Sequence, residues 1–532
     1  MEISKRLHEI AILGMACVCS LSLTALVFGQ AVTSNLSKKE VNTYHFTNNP
    51  YRPQFHFSPD SNWTNDPNGL VYFHGEYHLF FQYNPFGHTW GHMSWGHAVS
   101  PDMIHWKQLP VAIPEANNVM IFSGCAVVDS NNTSGFGKDG KIPMIAVYAG
   151  YNTKTHIQDQ RLAYSLDYGR TWTKYKNNPV ITLHTKNFRD PKVFWYKPDH
   201  HWVMVVALSA QHKVRFYSSP DLKHWNKLSD FGPVGATGGV WECPMLDKVK
   251  VAGYPSQTKW VLEIGLNPGS VAGGSGGQYF IGDFNGKKFT PDPAFRNKTH
   301  WVDYGKDFYA ATSWANIPPG NGRTLWLGWM DNWQYAAKAP THPFRGMMSI
   351  PRSIHVKKGS NGYYLVQQPV RELDKLRGRH FHFDNLTVSS GSISLSKKGV
   401  SGTTLEIEAT LKPSTAKKFG LLVRKGSGQQ TVIGYNRTKQ QLYVDRRHSG
   451  DVSFSKKFPG IQTAPLQLDN GLIHLHILVD HSSVEVFANG GKRVITDDIY
   501  PKLSSDGLQL FADNGSVTVT SLDIWKLKPY RK

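Results

Sequence analysis

Cysteine is scarce in this 532-residue sequence, which contains only Cys17, Cys19, Cys125 and Cys243. The first two lie in an apolar N-terminal segment, so two thiols remain for the rest of the chain. Two thiols cannot build a disulfide framework, and no cysteine and histidine residues have the spacing of a zinc site. The fold must therefore be stabilised by packed apolar cores.

Long hydrophobic runs are scarce as well. The longest extends from Ile10 to Phe28 and follows two basic residues. Its serine, threonine and glycine content, with small residues before Gln30, favours a cleaved signal peptide over an uncleaved anchor. We therefore expect a signal peptide at residues 1–29, an N-terminal extension at 30–50, and a secreted, extracellular protein without membrane attachment. Asn-x-Ser/Thr sequences mark candidate glycan sites at Asn35, Asn62, Asn131, Asn132, Asn297, Asn385, Asn436 and Asn514.

Acidic residues are in the minority, since 39 Asp and Glu face 59 Lys and Arg, giving a formal net charge of +20. Such a balance occurs in proteins that bind nucleic acid or anionic surfaces. The basic residues are scattered, however, and no basic stripe alternates with stacking aromatic residues. We interpret the charge as a solvated basic surface and expect no nucleic-acid partner.

Helical periodicity is nearly absent between Tyr51 and about Val370. The chain there consists of short runs of aromatic and β-branched residues separated by turn residues, a pattern typical of strands. A Ser-x-Asp turn followed by an aromatic residue recurs in this region, and the spacing of its copies suits four-stranded propeller blades. The clear copies begin at Ser100, Ser165 and Ser219, and a looser one begins at Asp283.

The strand pattern predicts an all-β fold of two domains. Residues 51–370 should form a five-bladed β-propeller whose blades open near Asp66, Phe122, Asp190, Glu242 and Asp307. Residues 371–379 are charged and do not alternate, so they are interpreted as a linker. From 380 to 532, apolar and polar residues alternate cleanly, which is the pattern of a two-sheet β-sandwich.

Three of the predicted blade openings carry an acid beside a proline. The stretches are Trp63-Thr64-Asn65-Asp66-Pro67-Asn68-Gly69, Phe188-Arg189-Asp190-Pro191 and Trp241-Glu242-Cys243-Pro244. Each alone is ordinary turn chemistry. Because proline fixes φ, it can set the angle at which a strand leaves a cavity wall. Three such acids at corresponding blade positions predict a carboxylate cluster in the central cavity.

These stretches together resemble glycoside hydrolase family 32, the invertases, exo-inulinases and levanases, and secreted exo-inulinases in particular. The resemblance runs from Tyr51 nearly to the C-terminus and includes Gly328-Trp329-Met330-Asp331-Asn332-Trp333 and Ser482-Ser483-Val484-Glu485-Val486-Phe487. It implies the propeller-plus-sandwich fold and a β-fructofuranosidase that hydrolyses terminal fructosides of sucrose, inulin or levan with retention. No metal or cofactor is implied, and the expected partner is the sugar substrate.

The resemblance also implies residue roles. Asp66 would be the nucleophile, Glu242 the acid/base and Asp190 the transition-state stabiliser. The substrate-binding residues would be Asn65, Asn68, Gln82, Trp90, Phe122, Ser123, Arg189 and Trp333. In the family, the region after Cys-Pro influences the choice between sucrose and fructans. This chain has Met245 where plant invertases carry an acid, so a dedicated sucrase is not predicted.

Physical arguments fit this division of roles. Hydrogen bonds from Asn65 and Asn68 would keep the nucleophile Asp66 ionised. A partly apolar setting from Trp241 and Cys243 would keep the proton on Glu242. Asp190 beside Arg189 should stay charged and bind fructose hydroxyls more strongly as positive charge develops on the ring. Retention requires the Asp66 and Glu242 carboxyl groups to lie about 5 to 5.5 Å apart.

Two other functions remain open at this point. The stretch from Ser165 to Trp172 fits the Asp box of sialidases, which are also propellers, although the tyrosine nucleophile and arginine cluster of that class cannot be assigned. A fructan-binding lectin with a dead site is the non-enzymatic alternative, and the presence of all three carboxylates argues against it. His88, His92 and His97 lie close in sequence, but their spacing does not suit metal ligands, and we interpret them as structural.

Overall fold

The computed structural model describes residues 49–318 and 322–531. The predicted signal peptide, most of the N-terminal extension, Cys17, Cys19 and Asn35 lie outside the described residues. None of the helices within the described ranges is long and apolar enough to cross a membrane. They are short 3₁₀ helices at Lys197–Asp199, Ser209–Gln211, Pro293–Phe295, Ala336–Lys338, Arg371–Leu376 and Ser396–Lys398.

The first part of the chain forms five antiparallel blades, which confirms the predicted propeller. Blade 1 contains β1 (Asn62–Phe73), β2 (Glu76–Asn84), β3 (Ser94–Ser100) and β4 (Lys107–Ile113). Blade 2 contains β5 (Val119–Val128), β6 (Met144–Asn152), β7 (Gln158–Ser165), β8 (Thr173–Lys174) and β9 (Ile181–Thr185). Blade 3 contains β10 (Phe188–Tyr196), β11 (His201–Leu208), β12 (Lys213–Ser219) and β13 (Asn226–Phe231).

Blades 4 and 5 complete the ring. Blade 4 contains β14 (Val240–Val251), β15 (Tyr254–Asn267), β16 (Gly276–Phe284) and β17 (Phe289–Pro291). Blade 5 contains β18 (Tyr309–Ser313), β19 (Thr324–Met330), β22 (Arg352–Gly359) and β23 (Gly362–Pro369). Two short strands join neighbours: β20 (Phe344–Arg345) pairs in parallel with β1, and β21 (Met347–Met348) pairs with β19. Pairing of β20 with β1 links the last blade to the first.

The Ser-x-Asp repeats form the turns between the third and fourth strands of the first three blades. In each turn, the aspartate accepts a hydrogen bond from the serine hydroxyl: Ser100 to Asp102, Ser165 to Asp167 and Ser219 to Asp221. The looser copy at Asp283 lies at the same turn of blade 4. The repeat is therefore an element of blade folding.

Each innermost strand contains a β-bulge near its first residues. The strand register shifts between Ile121 and Gly124 in β5, and at corresponding positions in β1, β10, β14 and β18. Three non-glycine residues at these bulges have positive φ: Asp190 at 63°, Cys243 at 49° and Ala310 at 51°. A bulge re-aims the side chains beside it, and non-glycine residues with positive φ cluster at functional sites. A regular strand would place these side chains on a face of the blade. The bulges thus turn them toward the propeller axis.

The second part of the chain is the predicted β-sandwich, built from two six-stranded sheets. One sheet contains β24 (Arg377–Val388), β35 (Val517–Leu527), β26 (Leu405–Pro413), β31 (Ile473–Val479), β32 (Ser483–Ala488) and β33 (Arg493–Asp498). The other contains β25 (Gly391–Ser394), β34 (Gly507–Asp513), β27 (Lys418–Gly426), β28 (Gln429–Asn436), β29 (Gln441–His448) and β30 (Ile461–Pro465). Their alternating apolar residues meet in one core.

The segment 371–379, which the sequence predicts to be a linker, contains regular secondary structure. It contains the 3₁₀ helix Arg371–Leu376 and the beginning of β24. Leu373 and Leu376 are buried in an apolar cluster with residues of blade 1. Their spacing of three places both on one side of the short helix, a signal that the surrounding charges obscure.

Buried charged groups join the N-terminal part of the chain to the sandwich. The His56 imidazole lies 2.8 Å from the Asp480 carboxylate and 3.0 Å from the Glu485 carboxylate, and the three side chains are at most 1 % exposed. Glu485 also accepts a hydrogen bond from Arg352, and Ile350 donates its backbone N–H to the same carboxylate. Although burial lowers the pKa of His56, the two carboxylates outweigh it and raise the pKa to about 9.

Stability should therefore fall at alkaline pH through His56. Its pKa in the folded state lies above the ordinary value of about 6.5, so its contribution is complete below pH 6.5 and is lost as pH rises toward 9. A shift of this size corresponds to about 3 kcal/mol. We expect His56→Gln to lower the free energy of unfolding more at pH 6 than at pH 9.5, by about 3 kcal/mol. Guanidinium unfolding at both pH values measures this, and an equal loss at both would contradict it.

Candidate active site

A cavity of about 220 Å³ opens where the innermost strands begin. Every predicted site residue except Asn68 lines it, although these residues are spread over the sequence from position 65 to position 333. The structure adds one lining residue that the sequence did not indicate, Asn267 at the end of β15. The lining residues are Asn65, Asp66, Gln82, Trp90, Phe122, Ser123, Arg189, Asp190, Glu242, Asn267 and Trp333.

Asp66 lies on β1 with two side chains donating to its carboxylate. The Ser123 hydroxyl lies 2.6 Å from Oδ2, and the Asn65 amide nitrogen lies 3.0 Å from Oδ1. Trp63 orients Asn65 in turn, because its Nε1–H donates to the Asn65 amide oxygen at 2.8 Å. Burial raises the pKa of Asp66, whereas the hydrogen bonds from Ser123 and Asn65 act in the opposite direction.

Asn68 has a different position from the one predicted. Its side-chain amide donates to the backbone carbonyl of Asp66 and accepts from the backbone N–H of Gly124, both at 3.0 Å. It lines a second, much smaller cavity of about 20 Å³. Because β1 contains a bulge on each side of Pro67, the side chain of Asn68 is directed away from the carboxylate. Asn68 therefore fixes the turn that presents Asp66 and does not contact the carboxyl group itself.

Asp190 and Asp66 are bridged by Cys243. The Cys243 thiol lies 3.5 Å from the Asp66 carboxylate and 3.7 Å from the Asp190 carboxylate, and the Cys243 backbone N–H donates to Asp190 at 2.9 Å. Burial raises the pKa of Asp190 to about 7, with Arg189 opposing it and the charges of Glu242 and Asp66 adding to it. The expectation that Asp190 stays charged beside Arg189 therefore applies only above about pH 7.

Glu242 lies in a polar setting, contrary to the prediction. Arg189 donates to one of its carboxylate oxygens through Nε at 3.2 Å and Nη2 at 3.0 Å. The Tyr309 hydroxyl donates to the other oxygen. Trp241 is buried in the core with its Nε1–H on a backbone carbonyl, and the Cys243 thiol points toward the aspartates. The alternation of β14 and its bulge turn both neighbours away from Glu242.

Tyr309 is the most informative residue that the sequence analysis missed. It is the first residue of β18, the innermost strand of blade 5, and burial with the nearby charge of Glu242 raises its pKa well above the usual range. Its hydroxyl therefore stays protonated and donates to Glu242. Tyr309 could have been identified from the sequence, because the fifth blade was predicted to open near Asp307, two residues before it, and the openings of other blades carry the acids of the site.

Arg189 is held in place from the side opposite Glu242. Its Nη1 lies 3.2 Å from the Gln158 amide oxygen and 3.4 Å from the Asn187 amide oxygen. The guanidinium also lies 3.9 Å from the Asp190 carboxylate. Arg189 thus sits between two of the three acids and is closer to Glu242.

Aromatic rings form the apolar walls. Trp90 is 44 % exposed and contacts Phe122 edge-on, and Phe122 stacks on Tyr151 at 4.8 Å. Opposite them, Trp333 packs against Trp63 and Trp329. Gln82 is buried between these walls and donates to the backbone carbonyl of Ile121 at 3.0 Å. A concave site with apolar walls and a few convergent polar groups is typical of small-molecule recognition.

The other residues singled out in the sequence lie outside the cavity lining. Met245 is buried in the core of blade 4, so the departure from plant invertases does not change a lining side chain. His97 is buried, stacks on Phe80 and lies 3.0 Å from the His78 ring. His92 is exposed and pairs with Glu115 at 2.6 Å, and the His88 ring lies 5.1 Å from that of His342.

The arrangement has the parts that glycosidic bond cleavage requires. A carboxylate held by two donors can attack a sugar carbon, a second carboxyl group can give a proton to the leaving oxygen, and a third can face the developing positive charge. Arg189 is the one arginine among the lining residues that the structure describes, whereas a sialidase site needs several for the carboxylate of its substrate. The Ser-x-Asp turns, which suggested a sialidase, also contribute no lining residue.

Comparison with known proteins gives concordant results. The model of the glycosyl hydrolases family 32 N-terminal domain matches residues 56–369, and that of the family's C-terminal domain matches residues 372–526. A levanase of Bacillus subtilis is 51% identical over 483 residues, covering 90% of this chain and 70% of the levanase. An extracellular exo-inulinase of Aspergillus ficuum is 43% identical over 511 residues, covering 89% of this chain and 94% of that protein. The crystal structure of an Aspergillus awamori exo-inulinase superposes with a TM-score of 0.85 at 41% identity, covering 90% of this chain and 99% of that one.

Proposed function

The chain belongs to glycosyl hydrolase family 32, and on that premise we propose that it is a secreted β-fructofuranosidase that removes terminal β-D-fructofuranosyl units with retention. It is a glycoside hydrolase that acts on fructosides, as its levanase, exo-inulinase and invertase relatives are named. The observation that carries the residue-level proposal is the convergence of Asp66, Asp190 and Glu242 on one cavity of about 220 Å³.

The proposed reaction begins with attack by Asp66. Its carboxylate forms a bond to the anomeric carbon of fructose while the bond from that carbon to the leaving oxygen breaks. Glu242 gives its proton to the leaving oxygen, so the aglycone departs neutral. Water then attacks the fructosyl-enzyme, Glu242 takes a proton from it, and Asp66 is released as a carboxylate. A sugar hydroxyl in place of water would give fructosyl transfer.

The contacts around the three acids support these roles. Ser123 and Asn65 hold the Asp66 carboxylate with two hydrogen bonds, which offset part of the effect of burial, although burial still leaves the pKa of Asp66 raised. Among the described residues, the backbone N–H and the thiol of Cys243 both contact Oδ2 of Asp190, which leaves Oδ1 for substrate hydroxyls. The pKa of Asp190 is raised in the structure. Substrate hydroxyls that donate to Asp190 would favour its ionised form, so we expect substrate binding to lower this pKa.

The shape of the site supports removal of fructose from chain ends. Asp66 and Asp190 are buried, whereas the indole of Trp90, which lines the same cavity, is half-exposed. A terminal sugar that reaches the buried acids would therefore leave the remainder of the substrate near Trp90. Both sucrose and fructan chains can meet this condition, and the relatives include levanases, exo-inulinases and an invertase.

Secretion is supported by the relatives and by the N-terminal sequence. The exo-inulinases of Aspergillus ficuum and Aspergillus niger are named as extracellular proteins. The apolar segment from Ile10 to Phe28 has the charge pattern and flanking residues of a signal peptide. Expression of the full chain in a secreting host, followed by N-terminal sequencing of protein from the medium, tests this. Retention of the whole chain inside the cells would contradict it.

Incubation with sucrose, inulin and levan should release free fructose from at least one of them. Chromatography of the products distinguishes the mode of attack, because exo-hydrolysis gives fructose without intermediate oligosaccharides. Methanol added as acceptor should yield a methyl β-fructofuranoside, whose configuration reports retention. The β-anomer supports a fructosyl-enzyme, and the α-anomer would refute it. Release of neither fructose nor transfer products from any substrate would refute the enzymatic function and favour a lectin.

A further inference from the structure

Arg446, on β29 of the sandwich, is fully buried and extends to the propeller. Its Nε donates to the Phe458 carbonyl at 2.9 Å and its Nη1 donates to the Asp498 carbonyl at 3.1 Å, both within the sandwich. Its remaining donors reach propeller residues. Since a guanidinium has five donors in a rigid planar fork, anchoring one side of it fixes the direction of the other.

On the propeller side, Arg446 contacts two residues at once. Its Nη1 donates to Asp307 Oδ2 at 2.5 Å, and its Nη2 donates to the Tyr335 hydroxyl at 2.7 Å. The Tyr335 hydroxyl in turn donates to Asp307 Oδ1. The three groups form a closed ring of hydrogen bonds, and all are at most 1 % exposed. A buried network of this kind, fully satisfied, makes the elements that carry it rigid.

Tyr335 connects the ring to the substrate wall. It lies two residues after Trp333, and its backbone N–H donates to the Asn332 carbonyl at 3.0 Å. The Asn332 side chain is held from below by the Lys306 carbonyl at 2.7 Å. Gly274 packs against the same side chain so closely that a Cβ there would lie 2.1 Å from the Asn332 amide oxygen. The segment that carries Trp333 is therefore clamped between blade 4 and Arg446.

Asp307 connects the ring to the proposed acid/base. It lies two residues before Tyr309, whose hydroxyl donates to Glu242. Between them, Phe308 packs against Gly328, where an added Cβ would lie 2.6 Å from the Phe308 ring. This close contact restricts movement of β18 relative to β19. The backbone of β18 is strained at Ala310, where φ is 51°. Because Asp307 fixes the chain just before β18, Tyr309 can stay in place despite this strain.

We propose that the sandwich positions the catalytic site through Arg446, which aligns Tyr309 with Glu242 by way of Asp307 and aligns Trp333 with the bound fructose by way of Tyr335. The proposal rests on the β-fructofuranosidase function proposed above. Arg446 touches neither substrate nor a reacting atom, so it is a positioning residue. Its two connections also differ in kind, since the Tyr335 connection should influence substrate binding and the Asp307 connection the proton transfer.

The test compares variants of Arg446 and Tyr335 in the full chain with sucrose as substrate. We expect Arg446→Met to lower kcat/KM by about 10- to 100-fold, because small misplacements of catalytic groups have effects of this size. Arg446→Lys, which keeps a charge beside Asp307, should recover part of kcat. Tyr335→Phe keeps the ring and removes the hydroxyl, and should raise KM about three- to tenfold with a smaller change in kcat.

Arg424 offers a matched control. It is a buried arginine on β27 of the same sheet, and its guanidinium donates to the carbonyls of Ser505, Asp480, His481 and Lys502, all in the sandwich. Arg424→Met should lower the midpoint of thermal unfolding as much as Arg446→Met does, yet leave kcat and KM of the folded enzyme within about twofold.

The outcomes separate the inference from the proposed function. If the wild type hydrolyses none of sucrose, inulin and levan, the proposed function fails and the inference fails with it. If the wild type is active and Tyr335→Phe and Arg446→Lys retain its kcat and KM, the inference alone fails. Should Arg446→Met not fold, these two milder variants decide the question. The inference is supported if Tyr335→Phe changes KM, and Arg446→Lys changes kcat, by more than Arg424→Met changes the same constants.

Discussion

Replacing Asp66 with asparagine should lower kcat for sucrose by about 10⁴-fold or more, the scale seen when a covalent nucleophile is removed. The carboxamide has nearly the same shape and can keep the contact with Ser123, so the cavity should keep its form. It cannot form a stable ester with the anomeric carbon, and it removes the charge of one of the three acids that line the cavity. Because the loss affects the chemical step and not the walls of the cavity, sucrose should still bind.

The measurement pairs steady-state kinetics with calorimetric titration of sucrose into the Asp66→Asn variant. Asp102→Asn is a suitable control, since Asp102 is a buried acid of the same blade that caps the turn after Ser100. That change should lower stability and leave kcat unaltered. A kcat for Asp66→Asn within tenfold of the wild type would remove Asp66 from the nucleophile role, and a complete loss of binding would mean that the substitution had disrupted the cavity.

Much of the fold could be predicted because its signals are local and repeated. A strand pattern of period two, the Ser-x-Asp turns and the change to clean alternation after residue 380 each follow from short stretches of sequence. The propeller with its sandwich followed from these signals. The 3₁₀ helix at Arg371–Leu376 did not, because two leucines three residues apart are a weak signal among charged neighbours.

The site could be predicted as a set of residues but not as a set of contacts. Acids beside prolines at blade openings indicated Asp66, Asp190 and Glu242, and the family resemblance indicated the lining residues around them. The contacts depend on bulges, which shift a side chain from one face of a strand to the other. This is why Asn68 was expected on the Asp66 carboxylate and lies on its backbone, and why Trp241 was expected beside Glu242 and lies in the core.

Residues that act across blades or across domains gave no local signal. Tyr309 is 67 residues from Glu242 in sequence, and Arg446 is 139 residues from Asp307. A single tyrosine or arginine in an alternating strand has the same pattern whether it is a surface residue or the centre of a buried network. Only the closure of the propeller and the packing of the sandwich against it bring such partners together.

Replacing Glu242 with glutamine should lower kcat/KM for sucrose by about 10²- to 10⁴-fold, the range that general acid catalysis contributes. Glutamine can still accept from Arg189 and bond with Tyr309, so the geometry should persist while the transferable proton is lost. The size of the loss should depend on the leaving group. An aryl β-fructofuranoside whose phenol is a good leaving group needs little protonation, and the variant should cleave it far better than sucrose relative to the wild type.

The second half of the reaction gives an independent measure of the same residue. Without Glu242 to take a proton from water, the fructosyl-enzyme should accumulate, and azide, which attacks without general-base help, should restore turnover with β-fructosyl azide as product. Glu263→Gln is the matched control, because Glu263 is buried on the neighbouring β15 and its carboxylate oxygens have no hydrogen-bond partner among the described residues. Burial raises the pKa of Glu263 well above the usual range, which favours its neutral form, so glutamine should replace it with little effect on kcat. Equal losses on sucrose and on the aryl substrate, with no response to azide, would show that Glu242 serves only to hold Arg189 and that the proton comes from another group.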